Sequence, residues 1–136
     1  MIGIVDTVID IGSVRASVSD AAFGAILVFE GVGRNDFDGK TVARLSYEAF
    51  VPMAEAELQR IVAEAEKRWP VRVSIVHRTG VVAIGEPSVV IAVGAPHRPE
   101  GYEASRYALE ELKKRVPIWK KEHYTDGSAW KANATA

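Results

Sequence analysis

Five cations fall within the nine residues from Lys113 to Lys121, in the stretch LKKRVPIWKKEH of a 136-residue chain with a formal net charge of -1. Clustered ammonium groups disfavour one another's charged form, so one lysine can offer a free amine while its neighbours hold an anion. Cations near a helix end also complement its macrodipole. The stretch is therefore either a catalytic surface or a solvated helix end.

Lys113 and Lys120 can lie side by side only if the chain bends between them. Two residues seven positions apart share one face of an unbroken helix, but Pro117 breaks the helix. A helix that ends near Arg115, followed by an extended segment, brings Lys120 back beside Lys113 if Trp119 docks as a buried anchor.

Two His-Arg pairs end predicted strands. His97 and Arg98 lead into a predicted helix, and such a corner offers exposed side chains and free N–H groups for an anion. His77 and Arg78 have no helix start after them, so we favour the first pair. The alternative is that both pairs are ordinary loop residues.

The glycine-rich segment GVGRND, residues 31–36, contains a third candidate group. Gly31 and Gly33 allow close backbone approach, and the guanidinium of Arg34 suits a phosphate or carboxylate. The segment lacks the third glycine of a dinucleotide-binding fingerprint and precedes a predicted hairpin rather than a helix. It is either an anion-binding loop or a plain connector.

Composition excludes several classes of function. The chain has no cysteine and three histidines without close spacing, which excludes disulfides and a cysteine nucleophile within it and argues against a metal site. The balanced charge argues against a protein that coats nucleic acid. Without a basic N-terminal region or an apolar run near ~20 residues, we expect a cytoplasmic protein that does not bind membranes.

The N-terminal half predicts four strands and a helix. We expect strands in residues 3–11 and 14–19, a central strand in the dense apolar run 24–32, and a strand with one wet face in 41–50. Pro52 suits the first turn of a helix that ends at Pro70.

The C-terminal half predicts a strand pair and a second long helix. Residues 71–78 and 87–95 are the strands, and residues 79–86 between them form a short strand or a wide turn. The helix begins near Pro99 and ends before Val116, because a residue preceding proline is pushed out of the α region. Trp130 is expected to anchor the tail.

These elements do not alternate regularly, which favours the α+β class over a doubly wound parallel sheet. We expect a single domain over residues 1–136, with a mixed or antiparallel sheet and two main helices.

Five segments, taken in order, closely resemble the large, catalytic subunit of molybdopterin synthase over residues 24–130. They are GAILVFEGVGRN, LSYEAFVPMAEAEL, RWPVRVSIVHRTGVVAIGEPSVVIAVGAPHRPEGYEA, LKKRVPIWKKE and DGSAW. The motif PIWKKE, preceded by a helix-end lysine, is the most specific. The resemblance implies a sulfurtransferase that converts cyclic pyranopterin monophosphate (precursor Z) into the dithiolene molybdopterin.

The same resemblance implies partners. Sulfur arrives as a thiocarboxylate on the C-terminal Gly-Gly of a small, ubiquitin-like subunit, which agrees with the missing cysteine. Two large subunits form a central homodimer flanked by two small ones, a heterotetramer. No cofactor, molybdenum or nucleic acid is expected to bind this chain.

Site residues follow from the matched motifs. Lys113 and Lys120 are predicted to be catalytic, and the predicted substrate-binding set is Val32, Gly33, Arg34, His97, Arg98, Lys113, Lys120, Lys121 and Glu122. Gly33 stands where a valine usually precedes the arginine, which leaves the loop conformation open. Lys131 stands where an arginine often reaches across the dimer, which leaves that contact open.

Two alternatives to the enzyme remain. An anion- or RNA-binding module could use the cluster from Lys113 to Lys121, although such modules carry basic residues across a sheet face and the predicted strands here are not basic. A regulatory subunit could bind a partner's tail without chemistry.

Overall fold

The computed structural model describes residues 1–133, which form two sheets and three helices. The elements in chain order are β1 Ile2–Val5, α1 Ile11–Ala16, β2 Ala25–Val32, β3 Asp36–Phe37, β4 Lys40–Ala49, α2 Val51–Arg68, β5 Arg72–Arg78, β6 Gly80–Ala83, β7 Pro87–Ala95, α3 Arg98–Arg115, β8 Ile118–Tyr124 and β9 Ala129–Asn133.

The four-stranded sheet has the order β1-β5-β7-β2, with β1 parallel to β5 and the other pairs antiparallel. The five-stranded sheet has the order β3-β4-β8-β9, with β6 also paired to β4. The predicted α+β class, with a mixed sheet and two main helices, is confirmed.

Helices cover both faces of the four-stranded sheet. The long helices α2 and α3 pack against each other and against its strands, around a core that includes Leu58, Ile75 and Ile91. The short helix α1 contacts β5 and β7 from the other face, where Val14 and Val90 lie in a second cluster. Because β7 is covered on both faces, its sequence PSVVIAVGA is almost continuously apolar.

Both long helices begin and end near the prolines from which their bounds were predicted. Helix α2 has Pro52 in its first turn and stops at Arg68. Helix α3 has a proline in its first turn and stops at Arg115, and Val116 before Pro117 is extended, with φ -82° and ψ 126°.

The prediction of a strand over residues 14–19 was wrong. Helix α1 occupies Ile11–Ala16, and the first strand ends already at Val5. Asp10 caps the helix, because its carboxylate accepts hydrogen bonds from the Ser13 backbone N at 3.2 Å and from Ser13 Oγ at 2.7 Å. This local hydrogen bonding outweighs the β-branched residues that suggested a strand.

The prediction that residues 24–32 form a central strand was also wrong. Strand β2 lies at the edge of its sheet, paired with β7, and Val28 and Val32 are exposed. Residues 79–86, left open between a strand and a turn, contain β6, which pairs with β4 of the other sheet. Within residues 1–133, none of the helices combines the length and apolar character that a membrane crossing requires.

Candidate functional site

Lys113 and Lys120 line one cleft of about 150 Å³, which we call the lysine cleft. Lys113 lies in the last turn of α3, and Lys120 lies on β8. The remaining wall residues come from β2, β4, β5, β7 and α3, namely Phe29, Gly31, Val32, Tyr47, His77, Ser88, Val89, Leu109 and Leu112.

A bend of the chain between α3 and β8 brings the two lysines together, as predicted. The anchor of the bend is different, because Trp119 is 36% exposed whereas Val116 and Ile118 are each 1% exposed. Ile118 lies on the core-facing side of β8, so Lys120, two residues later, points to the same side. Trp119 faces the opposite way.

A second cleft, the arginine cleft, adjoins the lysine cleft. It also measures about 150 Å³, and it shares Val32, Tyr47 and Lys120 with the lysine cleft. Its other wall residues are Gly33, Arg34, Asp36, Phe37, Val42, Leu45 and Glu122. Lys120 therefore stands on the boundary between a cleft that holds Lys113 and a cleft that holds Arg34.

Gly33 determines how the Arg34 segment packs. A Cβ at Gly33 would lie 2.2 Å from Leu45 Cδ1, so a side chain there cannot fit unless the neighbour moves. The carbonyl of Gly33 also accepts a hydrogen bond from the backbone N of Gly85 at 3.3 Å. The glycine lets this segment lie directly on β4, while Arg34 itself is exposed.

Glu122 is a buried carboxylate, 3% exposed, at the base of the arginine cleft. Its Oε1 lies 3.4 Å from Lys120 Nζ, and its Oε2 accepts a hydrogen bond from Tyr124 Oη at 3.1 Å. Burial, together with that hydrogen bond, raises the pKa of Tyr124. Glu122 therefore fixes the ammonium of Lys120 between the two clefts.

Lys121 points away from both clefts. Side chains alternate along β8, so Lys121 shares its outer face with His123, whose Nε2 lies 3.0 Å from Ser46 Oγ. In the pairing of β8 with β9, Lys121 stands opposite Lys131, which forms an ion pair with Glu48 at 3.3 Å.

His97 and Arg98 lie at the other end of α3 from the lysines. They line an open cavity of about 470 Å³ together with Gly24, Ala25, Pro96 and Pro99. With a rise of 1.5 Å per residue, the helix separates Arg98 from Lys113 by about 22 Å. One copy of the chain thus brings six predicted residues to the paired clefts, namely Val32, Gly33, Arg34, Lys113, Lys120 and Glu122, and leaves His97, Arg98 and Lys121 elsewhere.

His77 is a cleft residue that sequence reasoning passed over. It is 3% exposed, and its Nδ1 lies 2.8 Å from the carbonyl oxygen of Arg78. Its ring meets the Tyr47 ring edge to face at 5.2 Å between centroids. Burial lowers the pKa of His77 to about 4, and the charge of Lys113 adds to the effect. The available signal was its position, since His77 lies on the same face of β5 as the buried Ile75.

Tyr47 and Ser88 complete the polar wall of the lysine cleft. Burial raises the pKa of Tyr47, which therefore presents a neutral hydroxyl. Ser88 Oγ donates a hydrogen bond to the carbonyl of Gly31 at 3.2 Å. The cleft is accordingly lined by neutral donors and acceptors around two ammonium groups.

The other two cations of the opening cluster have different surroundings. Arg115 bonds Glu64 at 2.6 and 3.0 Å, Glu57 at 3.0 Å and Glu111 at 3.2 Å, which ties the end of α3 to α2. These carboxylates raise the pKa of Arg115, and Arg115 lowers that of Glu64 to about 2. Lys114 is 69% exposed. Within one cluster, two lysines line a cleft, Arg115 fastens helices and Lys114 is solvated.

The family model described as MoaE protein matches residues 4–115. Two curated relatives are a molybdopterin synthase catalytic subunit from Homo sapiens, 48% identical over 81% of this chain, and catalytic subunit 1 from Aedes aegypti, 46% identical over 92%. The chain belongs to the MoaE family. It spans 59% of the length of the human relative and 84% of the mosquito one.

Solved structures of MoaE-type proteins share this fold. A crystal structure of molybdopterin synthase from Staphylococcus aureus has a TM-score of 0.92 and 40% identity, covering 96% of this chain and 95% of that one. A MoaE protein from Burkholderia ambifaria has a TM-score of 0.80 and 31% identity, with 100% and 90% covered. The predicted resemblance to this family is confirmed.

Membership of the MoaE family is a property of the chain and does not by itself assign a role to any side chain. The roles of Lys113, Lys120, Arg34 and the other site residues stay predictions. Residues 1–133 contain no group of three or more His, Cys, Asp or Glu side chains that could hold a metal ion.

Proposed function

We propose that this chain is the catalytic subunit of a molybdopterin synthase, a sulfurtransferase that converts precursor Z into molybdopterin. The observation that carries the proposal is the meeting of Lys113, Lys120 and Arg34 at two adjoining clefts in a MoaE-family chain. The cytoplasm is the proposed compartment, because a chain without cysteine needs no oxidising environment.

Sulfur is brought by a partner, since the chain has no thiol of its own. The proposed partner is a small ubiquitin-like subunit whose C-terminal Gly-Gly carries a thiocarboxylate. The lysine cleft is narrow, with a volume of about 150 Å³. That space suits the end of a chain without side chains, such as Gly-Gly.

The chemistry needs positive charge in two places. In each half of the reaction, the thiocarboxylate sulfur bonds to a carbon of the substrate as a carbon–oxygen bond of that carbon breaks. Water then cleaves the acyl–sulfur bond, leaving the sulfur on the product and a carboxylate on the tail. Lys113 and Lys120 stabilise the developing oxyanion and pass protons during loss of water. Arg34 holds the anionic end of the substrate by charge-assisted hydrogen bonds. Orientation of the two reactants adds to the rate.

His97 and Arg98 can reach these clefts only from a second copy, because α3 separates them from Lys113 by about 22 Å within one chain. We therefore include a central homodimer, flanked by two small subunits, in the proposal. Light scattering of the chain alone tests this, with a dimer expected and a strictly monomeric species at micromolar concentration as the contrary result.

The alternative of an RNA- or anion-binding module finds less support. Lys113 is exposed, but Lys120 is paired with the buried Glu122 and Arg115 is engaged by three carboxylates, so neither of these two is a freely accessible cation. A surface that tracks a nucleic-acid backbone needs accessible cations.

The deciding experiment mixes the purified chain with precursor Z and the thiocarboxylated small subunit, and measures molybdopterin by chromatography. Product is expected with the thiocarboxylate and not with the ordinary carboxylate form of the partner. Absence of product from the wild-type chain under these conditions would contradict the proposed function. Loss of the partner's terminal Gly-Gly should abolish tight binding.

A further inference from the structure

Lys113 and Lys120 are held in different ways within the paired clefts. The ammonium of Lys120 lies 3.4 Å from the buried carboxylate of Glu122, so the pair is close to neutral overall. No carboxylate lines the cleft beside Lys113 among the described residues. The buried side chain that faces Lys113 is His77.

The hydrogen bond of His77 fixes its tautomer. A carbonyl oxygen can only accept, so the 2.8 Å contact between Nδ1 and the Arg78 carbonyl places the proton on Nδ1 and a lone pair on Nε2. Within residues 1–133, Nε2 has no hydrogen-bond partner. It is nevertheless not fully buried. The lone pair therefore opens on the lysine cleft.

The surroundings of His77 keep the imidazole neutral. The polar groups that line the lysine cleft with it are the hydroxyl of Tyr47 from β4, that of Ser88 from β7, and the ammonium groups of Lys113 from α3 and Lys120 from β8. None of these is an anion, and burial penalises the imidazolium. His77 is a hydrogen-bond acceptor and not a second cation throughout the neutral pH range.

We propose that His77 is a positioning residue: its unpartnered Nε2 accepts a hydrogen bond from the ammonium of Lys113 when that exposed side chain turns into the lysine cleft, and holds it there. The inference rests on the proposed function and adds a residue to it. A lysine side chain is flexible, and a neutral acceptor orients its ammonium without cancelling its charge. Lys113 thus keeps a full positive charge for the developing oxyanion, whereas Lys120 shares its charge with Glu122.

Two variants separate the two nitrogens of the ring. In His77→Asn the amide N–H can still donate to the Arg78 carbonyl, but the acceptor in the cleft is lost. In His77→Gln the longer side chain can return an amide oxygen to the position of Nε2. The single-turnover rate of molybdopterin formation, measured from pH 6 to pH 10 with thiocarboxylated partner, compares them with the wild type.

We expect His77→Asn to lower the rate about tenfold, the equivalent of one hydrogen bond to a charged group, and His77→Gln to recover part of it. The alkaline limb of the pH–rate profile should move to lower pH in His77→Asn, because the ammonium loses its acceptor. An unchanged rate and profile in His77→Asn would overturn the proposal. Equal losses of rate in His77→Asn and His77→Gln, with an unshifted pH–rate profile and a lower melting temperature, would also overturn it, because that pattern indicates a purely structural role for His77.

Absence of product from the wild type would refute the proposed function. Two further measurements need no substrate and therefore test the role of His77 even in that case. Nitrogen NMR of ¹⁵N-labelled protein should show His77 as the neutral Nδ1–H tautomer, and the Nε2–H tautomer would overturn the inference. Acylation of Lys113 by a small amine-reactive ester, read by peptide mass spectrometry, should be faster in His77→Asn than in the wild type at the same pH. An equal rate in the two proteins would count against the hydrogen bond.

Discussion

The two ends of α3 differ in how much of a site one chain completes. At the C-terminal end, Lys113 is itself exposed but lines a narrow cleft with Lys120 and His77, and the walls of that cleft come from both sheets. At the N-terminal end, His97 and Arg98 line a cavity about three times larger and open to solvent. The difference indicates that a single copy completes the lysine cleft, whereas the cavity beside His97 and Arg98 stays open in a single copy.

Removing either lysine of the cleft should have the largest effect. Lys113→Ala and Lys120→Ala should each lower the single-turnover rate by about 10²-fold or more, the lower end of the usual range for a positioned acid or base. Lys114→Ala is the matched control, because Lys114 is solvated on the same helical turn, and it should change the rate little. Circular dichroism verifies folding. Near-normal turnover in both cleft variants, with folding intact, would show that the cluster from Lys113 to Lys121 is a solvated helix end and not a catalytic surface.

Arg115 should matter for stability rather than chemistry. Arg115→Met removes the contacts to Glu57, Glu64 and Glu111, and we expect a loss of about 1–3 kcal/mol in the free energy of unfolding, between the ranges for exposed and buried pairs. Urea unfolding measures it. A loss of less than about 1 kcal/mol, the value for exposed pairs, would show that these contacts do not fasten α3 to α2.

The Arg115 contacts also predict a pH dependence. Hydrogen bonds from Arg115, and then from Tyr107, lower the pKa of Glu64 from 4.5 to about 2, so its stabilising contribution is present above pH 4.5 and is lost as the pH falls toward 2. Stability of the wild type should decline over that interval, and the decline should be shallower in Arg115→Met. Parallel pH profiles of the two proteins would contradict the assignment.

Arg34 should affect substrate binding and not partner binding. Arg34→Ala removes a charge-assisted contact, for which we expect about tenfold weaker binding of precursor Z, with the affinity for the small subunit nearly unchanged. Isothermal titration calorimetry measures both. Equal losses in the two affinities would show that the Gly33–Arg34 segment serves the protein interface instead.

The smallest effect expected concerns Gly33. In Gly33→Val the new side chain meets Leu45, so Arg34 shifts, and we expect a few-fold loss of precursor affinity, equivalent to about 1 kcal/mol for one overpacked contact. The double variant Gly33→Val with Leu45→Ala should recover affinity, because the smaller residue vacates the space. Failure of the second change to help would show that packing on Leu45 does not position Arg34.

Local chemistry made much of this architecture predictable. Pro117 defined the bend that joins Lys113 to Lys120, and the prolines at residues 52 and 99 marked both helix starts. The α1 segment was mispredicted because the capping carboxylate of Asp10 was overlooked in favour of its β-branched residues.

Features that depend on long-range packing could not be predicted from local sequence. Trp119 was expected to be buried. Instead the buried side chains of Val116 and Ile118 anchor the bend, and the indole of Trp119 lies on the outer face. Trp130, expected to anchor the tail, stacks on Phe37 with 5.7 Å between ring centroids while remaining 46% exposed. The alternation along β5 shows that His77 is buried, but no local pattern reveals that it lines the same cleft as Lys113 of α3.

Complementation between two inactive variants tests most directly whether the two ends of α3 serve one site from two copies. Lys113→Ala and Arg98→Ala chains are mixed, unfolded and refolded together, and assayed for molybdopterin formation with the thiocarboxylated partner. In a random mixture half of the dimers are hybrids with one intact site, so we expect about one quarter of the wild-type activity from two nearly inactive parents. Activity no higher than the average of the parents, in a mixture shown to contain hybrids, would contradict it.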